Sequence, residues 1–407
     1  MRQASEAGRA GGPDSAGTEL EDLDARIRKA PDRVDLLVDK GGLLARLGRV
    51  EEAQAAWRQA LALDPAHPPA HMALIQSLYE QGRWDAYEAE VARCEALRPG
   101  APFLTYERGY LDLLRGHMAE GWRRWEARLE VPGFIPPGKQ FPQPRWQGEP
   151  FTGRTLMVVF EQGFGDTLML ARYLPRVKAL GGRVHFLVQP QMAYLLTTLR
   201  GVDEIVPFGE PIPPFDLQVS TFSLPALFGT TLETVPADIP YLDVPPAVPS
   251  KAALLEALAP SEGRVRVGLA WGGNPAHPRD AQRSIPAHRL NALGALEGVA
   301  WHSFQLGRED RPELPGLVDL QPFLRTFTDT AYALSGMDLL ITVDTALAHL
   351  AGALGVPTLL LVSYAPDPRW MLDREDTPWY PATRLYRQPR PGDWEAVVQR
   401  LLTELRG

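Results

Sequence analysis

Asp344, Thr345 and His349 stand in the run LLITVDTALAHLAGALGVPTLLLV, residues 339–362, where their types and spacing suit anion binding. LLITV is short, apolar and β-branched, ALAHLAGALG is apolar nearly all round, and TLLLV resumes the strand pattern. This predicts one strand–helix–strand unit of a parallel sheet. Asp344 and Thr345 then sit at the carboxyl end of the first strand, where free backbone N–H groups at a helix start favour a diphosphate. His349 falls one turn later, on the face of Thr345. The same residues also suit plainer roles: Asp344 or Thr345 as a helix cap, His349 as a satisfied core histidine.

A second polar turn, EQGFGD at 161–166, brings Gly163, Gly165 and Asp166 between a strand and a helix. The glycines permit close backbone approach, and Asp166 places a carboxylate at the helix start, again a position that suits a cap. The turn is not a dinucleotide fingerprint. Three positions beyond Gly165 stands Leu168, and the next strand ends at Gln189 with no acid for a ribose. No nicotinamide or other cofactor is expected. G-x-S-x-G, G-x-x-x-x-G-K-[ST] and H-E-x-x-H are absent from the chain. Asp22 and Asp24 form a D-x-D, but in a helical N-terminal stretch that reads as a solvated face.

The elements that position these turns alternate in the manner of α/β proteins. Strands are predicted at 155–161, 183–189, 203–208, 216–221, 264–271 and 301–307, with helices at 166–180, 190–200 and 393–405. Pro132, Pro136, Pro137, Pro142, Pro144 and Pro150 make 131–150 a linker that wraps the next domain. The boundaries read as a disordered tail 1–17, a helical array 18–130, the linker 131–150, one α/β domain 151–248 and another 249–407 with its final helix.

The array is repetitive. Gly48, Gly82 and Gly116 recur at an interval of 34 residues, as do Pro31, Pro65 and Pro99, and the positions Trp57, Val91 and Trp125. In 34–67, Gly41, Leu44, Gly48, Ala53, Trp57, Ala60, Leu63 and Pro65 fall where a tetratricopeptide repeat wants small or apolar residues. Cys94 takes the position of Ala60 one repeat later, so it is expected in the core and unreactive. Such arrays bind peptide or protein partners, or brace a neighbouring domain.

With 407 residues, 45% of them hydrophobic and 23% charged, the chain is ordinary globular material with room for several domains. A net charge of −8 argues against nucleic acid or an anionic membrane as partner. One cysteine excludes an internal disulfide. MRQASEAGRAGGPDSAG has no apolar core, so neither a signal peptide nor a membrane span is expected there, and the expected compartment is the cytoplasm.

With these motifs assembled, the chain resembles a bacterial tetratricopeptide-repeat glycosyltransferase. Its catalytic half is similar to glycosyltransferase family nine, the ADP-heptose:lipopolysaccharide heptosyltransferase group. EQGFGDTLMLARYLP, GLAWGGNPAHPRDAQRSIP, ITVDTALAHLAGALGVPT and PDPRWMLDREDTPWYP carry the resemblance. It implies an α+α/β fold class, with N-terminal helical tetratricopeptide repeats followed by a GT-B body of two Rossmann-like α/β domains. The first would be the acceptor side and the second the nucleotide-sugar donor side. The implied activity is metal-independent, inverting transfer of a sugar from a nucleotide-sugar donor to a hydroxyl of a protein, glycan or lipopolysaccharide precursor.

Asp166 matches the family's G-D turn, implying a general base. Asp344, Thr345 and Ala346 match the D-T-G/A turn that meets the donor's diphosphate and sugar, and His349 matches its following histidine. Asn274, Arg283 and Ser284 match the loop expected near the phosphates, and Gln305 joins this donor set. The chain departs from the pattern in having no lysine after Lys251 and Leu306 where relatives often carry one. Arg283 or another arginine then has to meet the phosphates. Pro278 also replaces a residue that is often basic. The alternative reading is a repeat-based binding or scaffold protein with a catalytically reduced body.

Overall fold

The computed structural model describes residues 13–261 and 263–406. Residues 1–12 of the expected tail lie outside the described residues, and the first helix, α1 (Pro13–Lys29), begins within the remainder of it. The chain divides into two compact units. One is Met1–Leu111 with Ala127–Pro132; the other is Asp112–Glu126 with Gly133–Gly407.

The first unit stacks antiparallel helical hairpins built from α2 (Val34–Arg46), α3 (Val50–Leu63), α4 (Pro68–Glu80) and α5 (Trp84–Leu97). The 34-residue recurrence of glycine has a backbone cause. Gly48, Gly82 and Gly116 have φ of 74°, 62° and 81°, a left-handed turn that side chains disfavour. Gly41 is small for another reason: a Cβ there would meet the Trp57 ring, at 2.6 Å from Cδ1. A polar ladder joins α3 to α4, with Gln54 Nε2 donating to Ser77 Oγ at 3.0 Å and Gln81 Oε1 at 2.8 Å. Cys94 is buried, and burial pushes its thiol up to about 12, as suits a core position.

The second unit contains α6 only in part, from Asp112 onward, then α7 (Met118–Trp125) and the α/β body; α6 spans Pro102–Leu114. Helix α7 packs its tryptophans on that body. Trp125 stacks on Phe222 with ring centroids 5.5 Å apart, and Trp122 meets Trp379 edge-on at 6.1 Å. The proline-rich segment protects a sheet edge: Trp146 N–H donates to Gln218 O at 2.8 Å, and Gln218 Nε2 donates to Phe141 O and Gln143 O.

The body contains two parallel sheets. The first, from β1 (Thr155–Val159), β2 (Arg183–Val188), β3 (Glu204–Pro207) and β4 (Leu217–Ser220), has the order β3-β2-β1-β4. The second uses β5 (Val265–Ala270), β6 (Val299–Ser303), β7 (Val318–Asp319), β8 (Leu339–Val343), β9 (Thr358–Val362) and β10 (Thr383–Arg387). Its order, β10-β9-β8-β5-β6-β7, is doubly wound, and the winding reverses between β5 and β8. The helix expected over 166–180 is instead two, α8 (Phe164–Ala171) and Leu174–Lys178. Pro175 stands where a continuous helix would need a backbone donor. Strand β10 and the helix Phe327–Ser335 have no counterpart in the sequence reading; β10 is an edge strand with Arg384 exposed, so its apolar signal is weak.

Replacing Gly48 by alanine keeps the helices but forces a side chain into the left-handed turn, at a cost of about 1 kcal/mol. Thermal unfolding is expected to show a Tm lower by a few degrees, and an unchanged Tm would show that the turn relaxes freely.

Candidate functional site

The carboxyl ends of β5 and β8 flank the point where the winding of the second sheet reverses, the usual ligand crevice of such sheets. Helix Ala346–Leu354 starts there. Thr345 caps it, Oγ1 accepting the Leu347 N–H at 3.3 Å, so the cap reading holds for this residue. Ala346, at the first helical position, lies close beneath Gly165 of α8, at 3.5 Å from an added Cβ to its Cα.

Asp166 does two things at once. Its Oδ2 accepts the Gly163 N–H at 2.7 Å, capping α8, and its Oδ1 accepts from Arg369 Nη2 at 2.6 Å. The arginine comes from the other α/β half. Its Nε donates to Asp367 Oδ1 at 2.7 Å, and its Nη1 reaches His349 Nε2 at 3.2 Å. Burial works against the Arg369 charge, but Asp367, Asp166 and Asp344 outweigh it and hold the guanidinium well above its ordinary range. Burial also pushes the Asp344 carboxyl up, against the pull of Arg369.

An arginine only donates, so Nε2 of His349 accepts and the ring proton sits on Nδ1, directed at Tyr380 Oη at 2.9 Å. Burial, then Arg369 and Arg172, drive the His349 pKa well below its usual value and keep the ring neutral. The ring stacks on Trp370, centroids 5.3 Å apart. The resemblance implies that His349 meets the donor; in the structure it is buried with both ring nitrogens engaged, by Arg369 and Tyr380. Gly165 likewise faces protein, because a Cβ there would lie 2.6 Å from His349 Cδ2.

The loop after β5 is held by residues of three segments. Gln305 accepts the Trp271 and Gly272 N–H groups at 2.9 and 2.8 Å and returns Nε2 to Gly272 O and Leu306 O, so it is a bracket for the loop. Ser284 Oγ accepts from Gly273 N–H at 3.2 Å and from Arg308 Nη2 at 2.8 Å. Arg283 Nη1 donates to Asp344 O at 3.0 Å, tying this loop to the β8 turn. Asn274 is apart from the cluster: it is exposed, and its Oδ1 closes a turn on Ala276 N–H.

Sequence reasoning missed Arg308, Asp280, Asp367 and Arg369. Arg308 lies two residues beyond Leu306, and with Arg283 it pairs to the buried Asp280. Its Nε is buried without a hydrogen-bond partner. Gly272 and Gly273 are glycines because Cβ atoms there would strike the Arg308 and Arg283 guanidinium groups. The strand-end position of Arg308 was a usable signal. Asp367 and Arg369 stand in PDPRWMLDREDTPWYP, one of the stretches that carry the resemblance, but nothing local pairs Arg369 with Asp166, 203 residues away.

Residues 44–93 match the family described as tetratricopeptide repeat. The repeats are tetratricopeptide repeats. Over 424 residues the chain is 28% identical to Protein FlbA of Caulobacter vibrioides, covering 95% of this chain and 69% of that protein. Several solved structures that align with this chain are glycosyltransferases. A glycosyl transferase family 9 protein from Veillonella parvula aligns over 60% of this chain and 88% of its own, at 12% identity and a TM-score of 0.45. ADP-heptose lipopolysaccharide heptosyltransferase II of E. coli aligns over 62% and 100%, at 13% identity and a TM-score of 0.41. The O-GlcNAc transferase of Thermobaculum terrenum aligns over 96% and 88%, at 15% identity and a TM-score of 0.34. No helix among the described residues is long and apolar enough to cross a membrane.

A neutral buried histidine makes the fold acid-sensitive. The unfolded chain takes up a proton near pH 6.5 that folded His349 refuses, so its contribution is full above that pH and is lost as pH falls below it. Tm is expected to drop on acidification from about pH 7 to about 5.5, and His349→Gln is expected to flatten that drop, by at most about 1.4 kcal/mol per pH unit. An unaltered slope in the variant would mean that the ring protonates without penalty.

Proposed function

We propose that the chain is a glycosyltransferase moving a sugar from a nucleotide-sugar donor to a hydroxyl acceptor, with inversion. One observation supports this above the others. The Asp166 carboxylate of the first α/β half is held, through Arg369, against the strand-end loops of the second, where Arg283 and Arg308 gather. A base and a cationic leaving-group site are what this transfer needs.

In this reading the acceptor oxygen attacks the anomeric carbon and its proton passes to Asp166. Each Asp166 oxygen has one partner and keeps a lone pair for that proton. The bond from the anomeric carbon to the nucleotide oxygen breaks, and its electron pair stays on the phosphate. Arg308 and Arg283 receive that charge, together with the N–H groups that open helix Ala346–Leu354. Arg308 Nε is buried against Gly272 without a hydrogen-bond partner, and in this reading the Arg308 guanidinium supplies the cation that Leu306 does not. Asp344 and Thr345 shape the turn against the donor, and Arg369 and His349 position Asp166. Ser284 and Gln305 hold the loop. The repeats present an acceptor or protein partner.

Asp166→Asn can keep the hydrogen bond from Gly163 but loses the acceptor for Arg369, so Tm is expected to fall, and transfer by the folded variant to fall about 10²- to 10⁴-fold. A thermal-unfolding screen against UDP-, GDP-, ADP- and dTDP-sugars tests the donor site. One nucleotide at about 100 times its Kd should add roughly 2.7 kcal/mol to the wild type, and Arg308→Ala should lose most of it. Full transfer by the Asp166 variant would remove the base assignment. Silence towards every nucleotide would favour the scaffold reading, to which the ion pair already neutralising Asp166 lends some support.

A further inference from the structure

The second repeat buries three polar groups where the first has none. His71 on α4 and Glu90 and Cys94 on α5 are 5%, 8% and 5% exposed. The positions 34 residues earlier hold Leu37, Ala56 and Ala60, all buried. Packing of a tetratricopeptide repeat therefore does not require these polar groups. Glu90 and Cys94, four residues apart, share one face of α5, and the ligating atoms of all three residues lie within 4.8 Å of one another.

The hydrogen bonds of His71 sharpen the point. Its Nε2 lies 2.9 Å from the Pro65 carbonyl, which only accepts, so Nε2 carries a proton. A neutral ring then turns the bare Nδ1 lone pair toward Glu90 Oε1, its close partner. Two lone pairs do not bond; as the pair stands only a second proton fits between them, and a cation takes that place when the two atoms part. A ring anchored through its other nitrogen by a carbonyl is how metal-binding histidines are oriented.

We propose that His71 Nδ1, the Glu90 carboxylate and the Cys94 sulfur bind a zinc ion that clips α4 to α5. Imidazole, thiolate and carboxylate together suit zinc, with a fourth position left to water. Ligand atoms around tetrahedral zinc stand roughly 3.3 to 3.8 Å apart, so His71 Nδ1 and Glu90 Oε1 have to part by about an ångström while Cys94 Sγ stays within reach of both. On loading, the metal displaces the Cys94 thiol proton and the proton shared by His71 Nδ1 and Glu90, and both leave to solvent. The site lies wholly in the repeat unit and is independent of the sugar-transfer reading.

The full chain, stripped with a chelator and reloaded, tests this. One equivalent of Zn²⁺ is expected to stay bound through gel filtration and to raise Tm, and Co²⁺ is expected to show a thiolate-to-cobalt charge-transfer band. Cys94→Ala and His71→Leu restore residue types that the first repeat packs, so both variants should fold. Cys94→Ala should abolish the cobalt band, and each variant should weaken zinc binding at least tenfold. A wild-type chain with no cobalt band and no retained zinc would overturn the proposal and leave an imidazolium–carboxylate pair. A band persisting in Cys94→Ala would overturn it equally.

Discussion

The Arg369 guanidinium is the constraint around which the α/β body is arranged. It is buried against Asp166 from one half and Asp367 from its own, with Asp344 close enough to add to its charge. A cation in such a place is tolerable only while its carboxylates stay in reach, and removing one partner of a buried pair costs about 3–5 kcal/mol. The two halves are therefore coupled through Arg369 and its carboxylates. The segment carrying Arg369 is braced in turn by Arg387 of β10, which donates to Met371 O and Arg374 O at 2.8 and 2.7 Å. Met371 itself has φ of 54°, a left-handed conformation in a non-glycine residue.

Small residues set the distances. Gly165 lets α8 come onto His349, and Gly352, one helical turn beyond His349, accommodates the Tyr380 ring. Arg172, at the end of α8, adds a second tie: it donates to Met169 O at 2.8 Å, to Pro236 O at 3.1 Å and to Trp379 O, and stands 4.6 Å over the Tyr380 ring. Its charge meets carbonyls, the Tyr241 hydroxyl and aromatic faces. Around the β5 loop the logic repeats, with Gly272 and Gly273 making room for two arginines. Close backbone approach in this protein mostly serves its own side chains.

In the repeat unit the hydrophobic interior is assembled differently, from neighbours that are close in sequence. Leu23, Leu36 and Leu43 form one cluster, and Leu44, Ala53 and Trp57 another. Each hairpin covers the apolar face of the next, so the 34-residue period is written directly into the chain. His71, Glu90 and Cys94 break that pattern by bringing polar groups to positions that Leu37, Ala56 and Ala60 fill with apolar ones.

What the sequence by itself determined was the local and periodic part of the protein. The glycine interval, the strand–helix alternation and the polar turns at 161–166 and 344–345 are each set by neighbours within a few residues, or by exact repetition. Periodicity carries no information about partners far along the chain. Only the tertiary structure joined Arg369 to Asp166 across 203 residues, and only burial beside that same arginine gave His349 its neutrality and its tautomer. It also brought Arg308 beside Arg283 at the buried Asp280, and it set Gly165 against His349. Burial decides these roles, because a charge or a ring nitrogen removed from water has to find its partner wherever the fold brings one.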